Sequence, residues 1–333
     1  MKRKLKIPSG LTIFFIIVFS CLFVANAQMK KVAQVKMQFL KLGIGARAAA
    51  MGDAFTALGG EPNSIFYNPA GCAAVQGFNF VVNQTNWIAD INHKAGVLSY
   101  NTGRFGVFTV NYINVNYGTM ERTVVDAHAW EGYISQGEFS VGEYAVGLGY
   151  ATRITDRFFI GGQVKYAYQD LGTSHVWQYI GTQFETTRDI KNENEAVAYD
   201  FGTFYNFGFN NIRIGMSVQN FANRPLPLTF RFGAAVDLNE FLFPDAGSHV
   251  LTLAIDGLHP KDYSERVHFG LEYVFDQTVA LRGGYKLNYD EESFSAGFGL
   301  KATLVGVGLQ FDYAVTNFGA LGVVNRFSLT FQP

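Results

Sequence analysis

The sequence is poor in the residues on which many folds and activities depend. Charged residues make up only 16% of its 333 residues, and aromatic residues make up the same share. Disordered chains are rich in charge and poor in aromatics, so this composition excludes intrinsic disorder. Lysine and arginine number 26 against 27 acidic residues, which excludes the broad basic field of a nucleic-acid-binding protein. No three- or seven-residue period is present, which excludes collagen-like and coiled-coil fibres.

Motifs of catalysis and of metal binding are also missing. The chain has no G-x-S-x-G nucleophile elbow and no phosphate loop of the Walker type. None of its six histidines has metal-ligand spacing to a cysteine or another histidine; they are His93, His128, His175, His249, His259 and His268. The sequence therefore predicts a protein that is not an enzyme and that has no metal or other cofactor. A lipase built on a barrel is the enzymatic alternative, and no nucleophile motif supports it.

The first 27 residues are organised like a secretory signal peptide. Basic residues precede an apolar run over 11–24, and Ala25-Asn26-Ala27 forms a small-residue cleavage site. The run is short for a bilayer span, so a membrane anchor is the weaker interpretation. A lipoprotein signal at Cys21 is weaker again, because apolar residues continue beyond that cysteine. We therefore expect an exported protein.

Loss of this signal would change both charge and cysteine content. It would remove four basic residues and no acidic one, leaving 22 basic against 27 acidic residues, a formal charge of −5. Only Cys72 would remain, so the exported chain would have no internal disulfide. Its stability must then come from burial or from a membrane.

A two-residue period dominates the chain from residue 77 to its end, where no run reaches 18 consecutive apolar residues. Between Arg266 and Phe275, for example, Val267, Phe269 and Leu271 alternate with polar or small residues. This alternation is typical of strands whose two faces meet different environments. It predicts about fourteen strands, at 78–87, 92–101, 104–117, 138–152, 157–170, 196–208, 210–221, 227–238, 249–258, 265–275, 278–288, 292–302, 304–314 and 322–331.

The strands and their connections favour a membrane barrel over a soluble sandwich, which would show the same alternation. Many strands reach about nine to eleven residues, the length that a tilted strand needs to cross a bilayer. Short turns mostly follow the even strands, whereas the two longest connections follow odd strands, as in outer-membrane barrels. The last strand, 325–331, ends on Phe331 with apolar residues at alternate positions. We therefore predict an all-β protein, a transmembrane outer-membrane β-barrel of about 14 antiparallel strands over residues 77–333, with membrane lipid as a partner.

Residues 28–76 have a different composition and predict an N-terminal, partly helical plug. Small residues dominate between Phe39 and Gly60, which predicts a short helix around 45–58 that ends at two glycines. The turn-forming motif that follows contains Asn68, Pro69, Ala70 and Gly71. A barrel of this size can be filled by such a segment. A tail in the periplasm is the alternative.

Inward positions of the predicted strands contain charges of both signs. We expect them to form a polar network in the lumen that holds the plug or is solvated; a conduit for a ligand with an acidic head group is the alternative. The candidate residues are Arg213, Arg231, Asp256, Arg266, His268, Glu272, Arg282 and Lys286.

The connections 118–137 and 171–195 are predicted to be long external loops. Both are polar with interspersed aromatics, a composition suited to protein contacts. The candidate contact residues are Trp130, Tyr133, Trp177 and Tyr179. Ordinary loops packed over the barrel are the alternative.

The stretch FLKLGIGARAAAMGDAFTALGGEPNSIFYNPAG resembles the opening of the PorV/PorQ family of outer-membrane proteins. The resemblance continues in DGLHPKDYSERVHFGLEY, in ALRGGYKLNYDEESFSAGFGLK and in the closing NRFSLTF. It implies a role in type IX protein secretion, with secretion-system subunits and exported cargo as partners. The family is related in architecture to FadL-type channels of fourteen strands, which have an N-terminal plug and an Asn-Pro-Ala motif. Uptake of hydrophobic small molecules by a FadL-like channel is therefore the alternative function.

Overall fold

A computed structural model describes residues 35–125, 128–180, 183–209, 211–238 and 248–333; the predicted signal peptide, residues 1–27, lies outside them. These residues contain fourteen strands, which confirms the predicted number. They are β1 Phe78–Asn86, β2 Asn92–Asn101, β3 Val107–Val125, β4 Tyr133–Arg153, β5 Phe158–Ile180, β6 Gln183–Asn206, β7 Arg213–Phe221, β8 Thr229–Asp237, β9 His249–Pro260, β10 Arg266–Phe275, β11 Val279–Leu287, β12 Phe294–Leu304, β13 Val307–Asn317 and β14 Val323–Gln332.

The strands form a closed antiparallel barrel in which each strand pairs with its neighbours in sequence. Strands β1 and β14 close it, with Phe80 opposite Phe331 and Asn83 opposite Ser328. Closure removes the open sheet edges that a sandwich would leave. The predicted fold class is therefore confirmed.

The two faces of the wall differ as the alternation predicts. In strands β10 and β11, His268 lies opposite Lys286 and Glu272 opposite Arg282, and all four side chains are buried in the interior. Leucines at the intervening positions point outward and are 44–58% exposed. An outer face with so many exposed large apolar side chains is suited to contact with lipid rather than water.

The barrel has two different ends, which we name by their connections. At the turn end the strands are joined by short segments that include 102–106, 154–157, 276–278 and 305–306. The loop end has the connections 87–91, 222–228, 261–265, 288–293 and 318–322, together with the tips of two long hairpins. Within the ranges given above, no helix is both long enough and apolar enough to cross a membrane.

The prediction of long loops at 118–137 and 171–195 is wrong for most of these residues. Strands β3 to β6 continue well past the rest of the wall, with Thr119 paired to Ser140 and Thr173 paired to Lys191. Above the apolar zone both faces of a hairpin meet water, so the alternation of apolar residues ends while the backbone pairing continues.

The four aromatic candidates, predicted to lie in two external loops, therefore do not all lie in loops. Trp130 lies in the connection between β3 and β4 and is fully exposed, whereas Tyr133 is the first residue of β4. Trp177 and Tyr179 belong to strand β5, where their backbone pairs with Thr186 and Phe184. The side chains of residues 175–187 lie outside the part of the structure that can be described.

Residues 35–76, which we call the inner segment, lie inside the barrel. Their regular structure is a short helix, α1 (Ala46–Ala50), and 3₁₀ turns at Gln38–Lys41, Pro62–Phe66 and Pro69–Ala74. The predicted helix over 45–58 is wrong after Ala50, because Gly52 and Asp53 adopt positive φ angles of 62° and 58° and turn the chain.

The inner segment runs through the whole lumen from one end to the other. At the loop end, the Lys36 N–H donates to the Pro225 carbonyl over 2.9 Å. Residues 46–58 pack in the middle against β8 to β14. At the turn end, the Asn101 N–H donates to the Gly77 carbonyl, immediately before β1 begins.

Inward-facing glycines allow the inner segment to touch the barrel wall directly. A Cβ added at any of these positions would collide with the inner segment. They are Gly149, Gly161, Gly202, Gly215, Gly233, Gly270, Gly284 and Gly297, one on each of eight strands between β4 and β12. Glycine at these eight positions is thus explained by the close approach of the inner segment to the wall.

Candidate functional site

The Asn-Pro-Ala-Gly motif fastens the inner segment to the wall near β6. The fully buried Asn68 side chain accepts from the Ala70 N–H and donates to the carbonyls of Thr56 and Thr203, each over 2.9–3.1 Å. Pro69 begins a 3₁₀ turn, which suits its fixed φ and missing N–H. The motif therefore joins three parts of the chain that are distant in sequence.

Replacing Asn68 with alanine is expected to lower the free energy of unfolding by about 2 kcal/mol, because buried polar partners lose their hydrogen bonds. Unfolding in urea, followed in lipid vesicles by tryptophan fluorescence, would measure the change. Asn86→Ala, at the exposed loop-end terminus of β1, is the control. Equal stability of the two variants would contradict the fastening role.

A second fastening lies nearer the turn end and consists of alternating charges. Arg47 of α1 donates to Glu272 over 2.7–2.8 Å and to Glu61 over 2.8 Å. Arg282 of β11 donates to Glu272 over 2.6 Å and to Asp312 over 2.7 Å. Two cations and three carboxylates are thus linked across the inner segment and three strands. A cavity of about 180 Å³ lies against this cluster on the turn-end side.

A third fastening is centred on strands β8 and β9. Asp256 accepts from the backbone N–H groups of Phe55 and Thr56 over 2.9–3.0 Å, and Arg231 donates to Asp256 over 3.1 Å. Arg231 also donates to the Asp53 carbonyl over 2.7 Å. An ion pair of the wall thereby forms hydrogen bonds with backbone groups of the inner segment that follow α1 and lie outside any helix.

The eight predicted luminal residues all point inward, but they form separate groups. Glu272 and Arg282 belong to the second fastening, and Arg231 and Asp256 to the third. Arg213 pairs with Asp237 over 2.6 Å near the turn end. The remaining three, Arg266, His268 and Lys286, line a cavity at the loop end.

This loop-end cavity has a volume of about 400 Å³, within the range of small-molecule sites. It is bounded below by the inner segment, including Gly43, Asp53 and Tyr67. Its aromatic and basic lining comprises Trp87, Tyr263, Tyr289, Phe318, Lys41, Arg231, Arg266, His268, Lys286 and Arg326, and its acidic lining comprises Asp53, Asp290, Glu291 and Glu292.

Hydrogen bonds and ring contacts connect the polar groups of the loop-end cavity. Lys286 contacts both Asp53 and Glu292, and a His268 ring nitrogen lies 2.8 Å from the Tyr289 hydroxyl oxygen. Burial raises the pKa of Tyr289, so its hydroxyl stays protonated. Burial lowers the pKa of Lys41 at the rim, although its ion pair with Asp262 opposes this shift.

Sequence reasoning missed Arg326, Trp87 and Asp53 as residues of the loop-end cavity. Arg326 is 1% exposed, and its guanidinium lies 5.3 Å from the Trp87 ring. The alternation of β14 contained the signal, since Arg326 lies at an inward position together with Ser328 and Thr330. Asp53 had no comparable signal, because its position depends on the turn after α1.

Among the described residues, no group of three or more His, Cys, Asp or Glu could hold a metal ion.

Comparisons with known proteins find similarity in structure but not in sequence. No family model matches the chain, and no curated protein matches it. Similar solved structures include a FadL homologue of Pseudomonas aeruginosa, with TM-score 0.51, 11% identity, and coverage of 91% of this chain and 99% of that one. The toluene transporter TodX of Pseudomonas putida has TM-score 0.55 and 10% identity over 87% of this chain and 97% of its own.

The toluene transporter TbuX of Ralstonia pickettii is also similar, with TM-score 0.51, 13% identity, and coverage of 87% of this chain and 97% of that one. Identities this low establish the fold alone. The similarity extends over 87–91% of this chain and 97–99% of each of the three structures. It is consistent with the closed barrel of fourteen antiparallel strands described above. The chain therefore has the fold of a FadL-type barrel.

Proposed function

We propose that this protein is a non-enzymatic outer-membrane channel that binds small molecules with hydrophobic parts in its loop-end cavity. The observation that carries this proposal is a cavity of about 400 Å³ inside the lumen, open at one end and closed by the inner segment. The apolar outer face, the signal peptide inferred from the sequence and the similarity to transporters of toluene support the location and the role.

In this arrangement the loop end faces the cell exterior, as the longer connections of outer-membrane barrels do. A ligand would enter the loop-end cavity from outside and rest on the inner segment. The segment separates this cavity from the smaller cavity on the turn-end side, so passage requires that it moves. Its contacts with the wall include hydrogen bonds and ion pairs, which can exchange for contacts with water when the segment moves.

Uptake of radiolabelled toluene by cells that produce the protein would test this function. Leu258 lines the cavity and is 8% exposed, so Leu258→Trp is expected to fill the cavity and to lower uptake about tenfold. Leu300→Trp, on the outer face, is the matched control and should leave uptake unchanged. Uptake that equals that of cells without the protein would contradict the proposal.

A second candidate function is type IX secretion, as the resemblance to the PorV/PorQ family implies. The extension of strands β3 to β6 beyond the barrel favours it, because it offers a surface for secretion-system subunits or exported cargo. Its connection 126–132 contains the fully exposed Trp130, and the adjacent Val125 is 88% exposed. Exposed apolar residues of this kind are typical of protein contacts.

Affinity purification from native envelopes in mild detergent would test the secretion role. We expect recovery of secretion-system subunits or cargo with the intact protein and loss of that recovery with Trp130→Ser/Val125→Ser. Phe105→Ser, an exposed apolar residue at the turn end, is the control. Unchanged secretion of cargo after deletion of the gene would contradict this role.

A further inference from the structure

The cations that line the loop-end cavity are not all paired with carboxylates within the described residues. Lys286 is matched by Asp53 and Glu292, and Arg231 is matched by Asp256. Lys41 is matched by Asp262 over 2.6 Å. Arg266 and Arg326, in contrast, form no ion pair with any carboxylate in the part of the chain that the structure describes.

Arg326 is the more unusual of the two, because it is almost completely buried. Its Nη1 donates to the Thr316 hydroxyl over 2.6 Å, whereas its Nε has no hydrogen-bond partner. His268, which lines the same cavity and is 2% exposed, likewise has an Nδ1 without a partner. A buried guanidinium that forms no direct ion pair is costly, and so is each unpaired polar nitrogen. An anion in the cavity would lower both costs.

Aromatic rings hold the unmatched cations in place beside the open space. The Arg266 guanidinium lies 4.0 Å from the Tyr289 ring centroid and 4.6 Å from that of Tyr263. Trp87 contacts both Arg326 and Phe318, the latter edge-on at 4.9 Å between ring centroids. The cavity thus combines cations with flat apolar surfaces, against which a planar ring can pack.

The cavity also contains carboxylates, which any anion must avoid. Asp53 and Glu292 are engaged by Lys286, while Asp290 and Glu291 are exposed to water, where their repulsion is screened. The carboxylates that would repel a bound anion therefore lie at the outer side of the cavity. The guanidinium of Arg326, which has no ion pair, lies deeper in the protein. A ligand that places its negative charge at Arg326 therefore gains the most binding free energy.

We propose that the loop-end cavity binds a compact organic anion, a carboxylate attached to an aromatic ring. Its carboxylate would lie at Arg326, with Arg266 adding a second positive charge, and its ring would pack among Trp87, Phe318 and Tyr289. This inference rests on the proposed function, since it names the ligand class of the same cavity. A plain hydrocarbon would leave the buried charge and both orphan nitrogens without partners.

Binding of benzoate to the purified protein in detergent tests this proposal. Trp87 is one of three tryptophans, so a Trp130→Phe/Trp177→Phe background leaves it as the only tryptophan reporter. Benzoate is expected to quench its fluorescence saturably, and benzamide, a neutral ligand of nearly equal shape, to bind at least tenfold more weakly. Equal affinity for benzoate and benzamide, or no saturable binding of benzoate, would overturn the inference.

Substitutions of single arginines show which residue binds the carboxylate of benzoate. Arg326→Met is expected to weaken benzoate binding at least tenfold, Arg326→Lys to retain part of the affinity, and Arg266→Gln to weaken it about threefold. Arg104→Gln, an exposed arginine at the turn end, should have no effect. If Arg326→Met does not fold, Arg266→Gln and the comparison with benzamide decide the matter. Unchanged binding in all folded variants would overturn the assignment.

The two proposals can fail separately. Saturable benzoate binding without uptake of any ligand by cells would contradict the channel and leave the anion site standing. Uptake of toluene combined with equal binding of benzoate and benzamide would support the channel and overturn the anion site.

Discussion

Replacing Arg282 with methionine is expected to lower the free energy of unfolding by about 3–5 kcal/mol. The guanidinium lies between Glu272 and Asp312, and all three side chains are only 3–4% exposed. Methionine has similar length but no charge, so it would leave Asp312 buried without a cation and Glu272 with only Arg47. Unfolding in urea from lipid vesicles, together with the shift between folded and unfolded bands on electrophoresis, would measure the loss.

Two further variants separate loss of charge from loss of packing. Arg213→Met removes a similar ion pair near the turn end, where both side chains are 15% exposed, and is expected to cost less than Arg282→Met, because water reaches the charge that is left. Arg282→Met/Asp312→Asn, which removes the stranded charge as well, should recover part of the stability. A loss that is equal for Arg282→Met and Arg213→Met would show that burial of the pair is unimportant.

Replacing Gly284 with valine is expected to displace the inner segment from strands β10 and β11. A Cβ at this position would collide with the backbone of Met51 and Gly52, which cannot move away like a flexible side chain. Overpacking of this kind costs about 1–3 kcal/mol and sometimes more. We expect a lower stability and, because the segment blocks the lumen, a higher ionic conductance in planar bilayers.

The neighbouring residue of the same strand provides the control. Gly283 faces outward, and no heavy atom lies within 4 Å of a Cβ built there. Gly283→Val should therefore change neither stability nor conductance, although the two variants have the same composition. If Gly284→Val has the same conductance and the same stability as the unsubstituted protein, the inner segment is not packed against this part of the wall.

Much of the fold could be predicted from the sequence because lipid and lumen impose a strict alternation on every strand. Strand β10, predicted over 265–275 and observed over Arg266–Phe275, and its inward set, including His268 and Glu272, follow from that period. The inward direction of the charged residues could be predicted for the same reason. Their partners could not, because a period of two gives the face of a side chain but not its height relative to another strand.

The remaining differences have physical causes in particular residues. The hairpin extensions were predicted as loops because residues such as Thr119 and Lys191 lie where both faces are wet, and no apolar signal is needed there. The alanine-rich stretch was predicted as a longer helix because alanine favours helices. In the structure those small residues serve close contact with the wall, and Gly52 ends the helix at the point where it meets β11.

The route of the inner segment constrains the order in which the protein assembles. The segment directly precedes β1, and β1 is the strand that must meet β14 to complete the ring. Drawing Arg47 and Asp53 through a ring that had already closed would strip both charges of water before they reached their partners. Wrapping β2 to β14 around a segment already in place avoids that barrier. The seam between the first and the last strand is then the final one to form, and the inner segment acts as the core around which the ring is built.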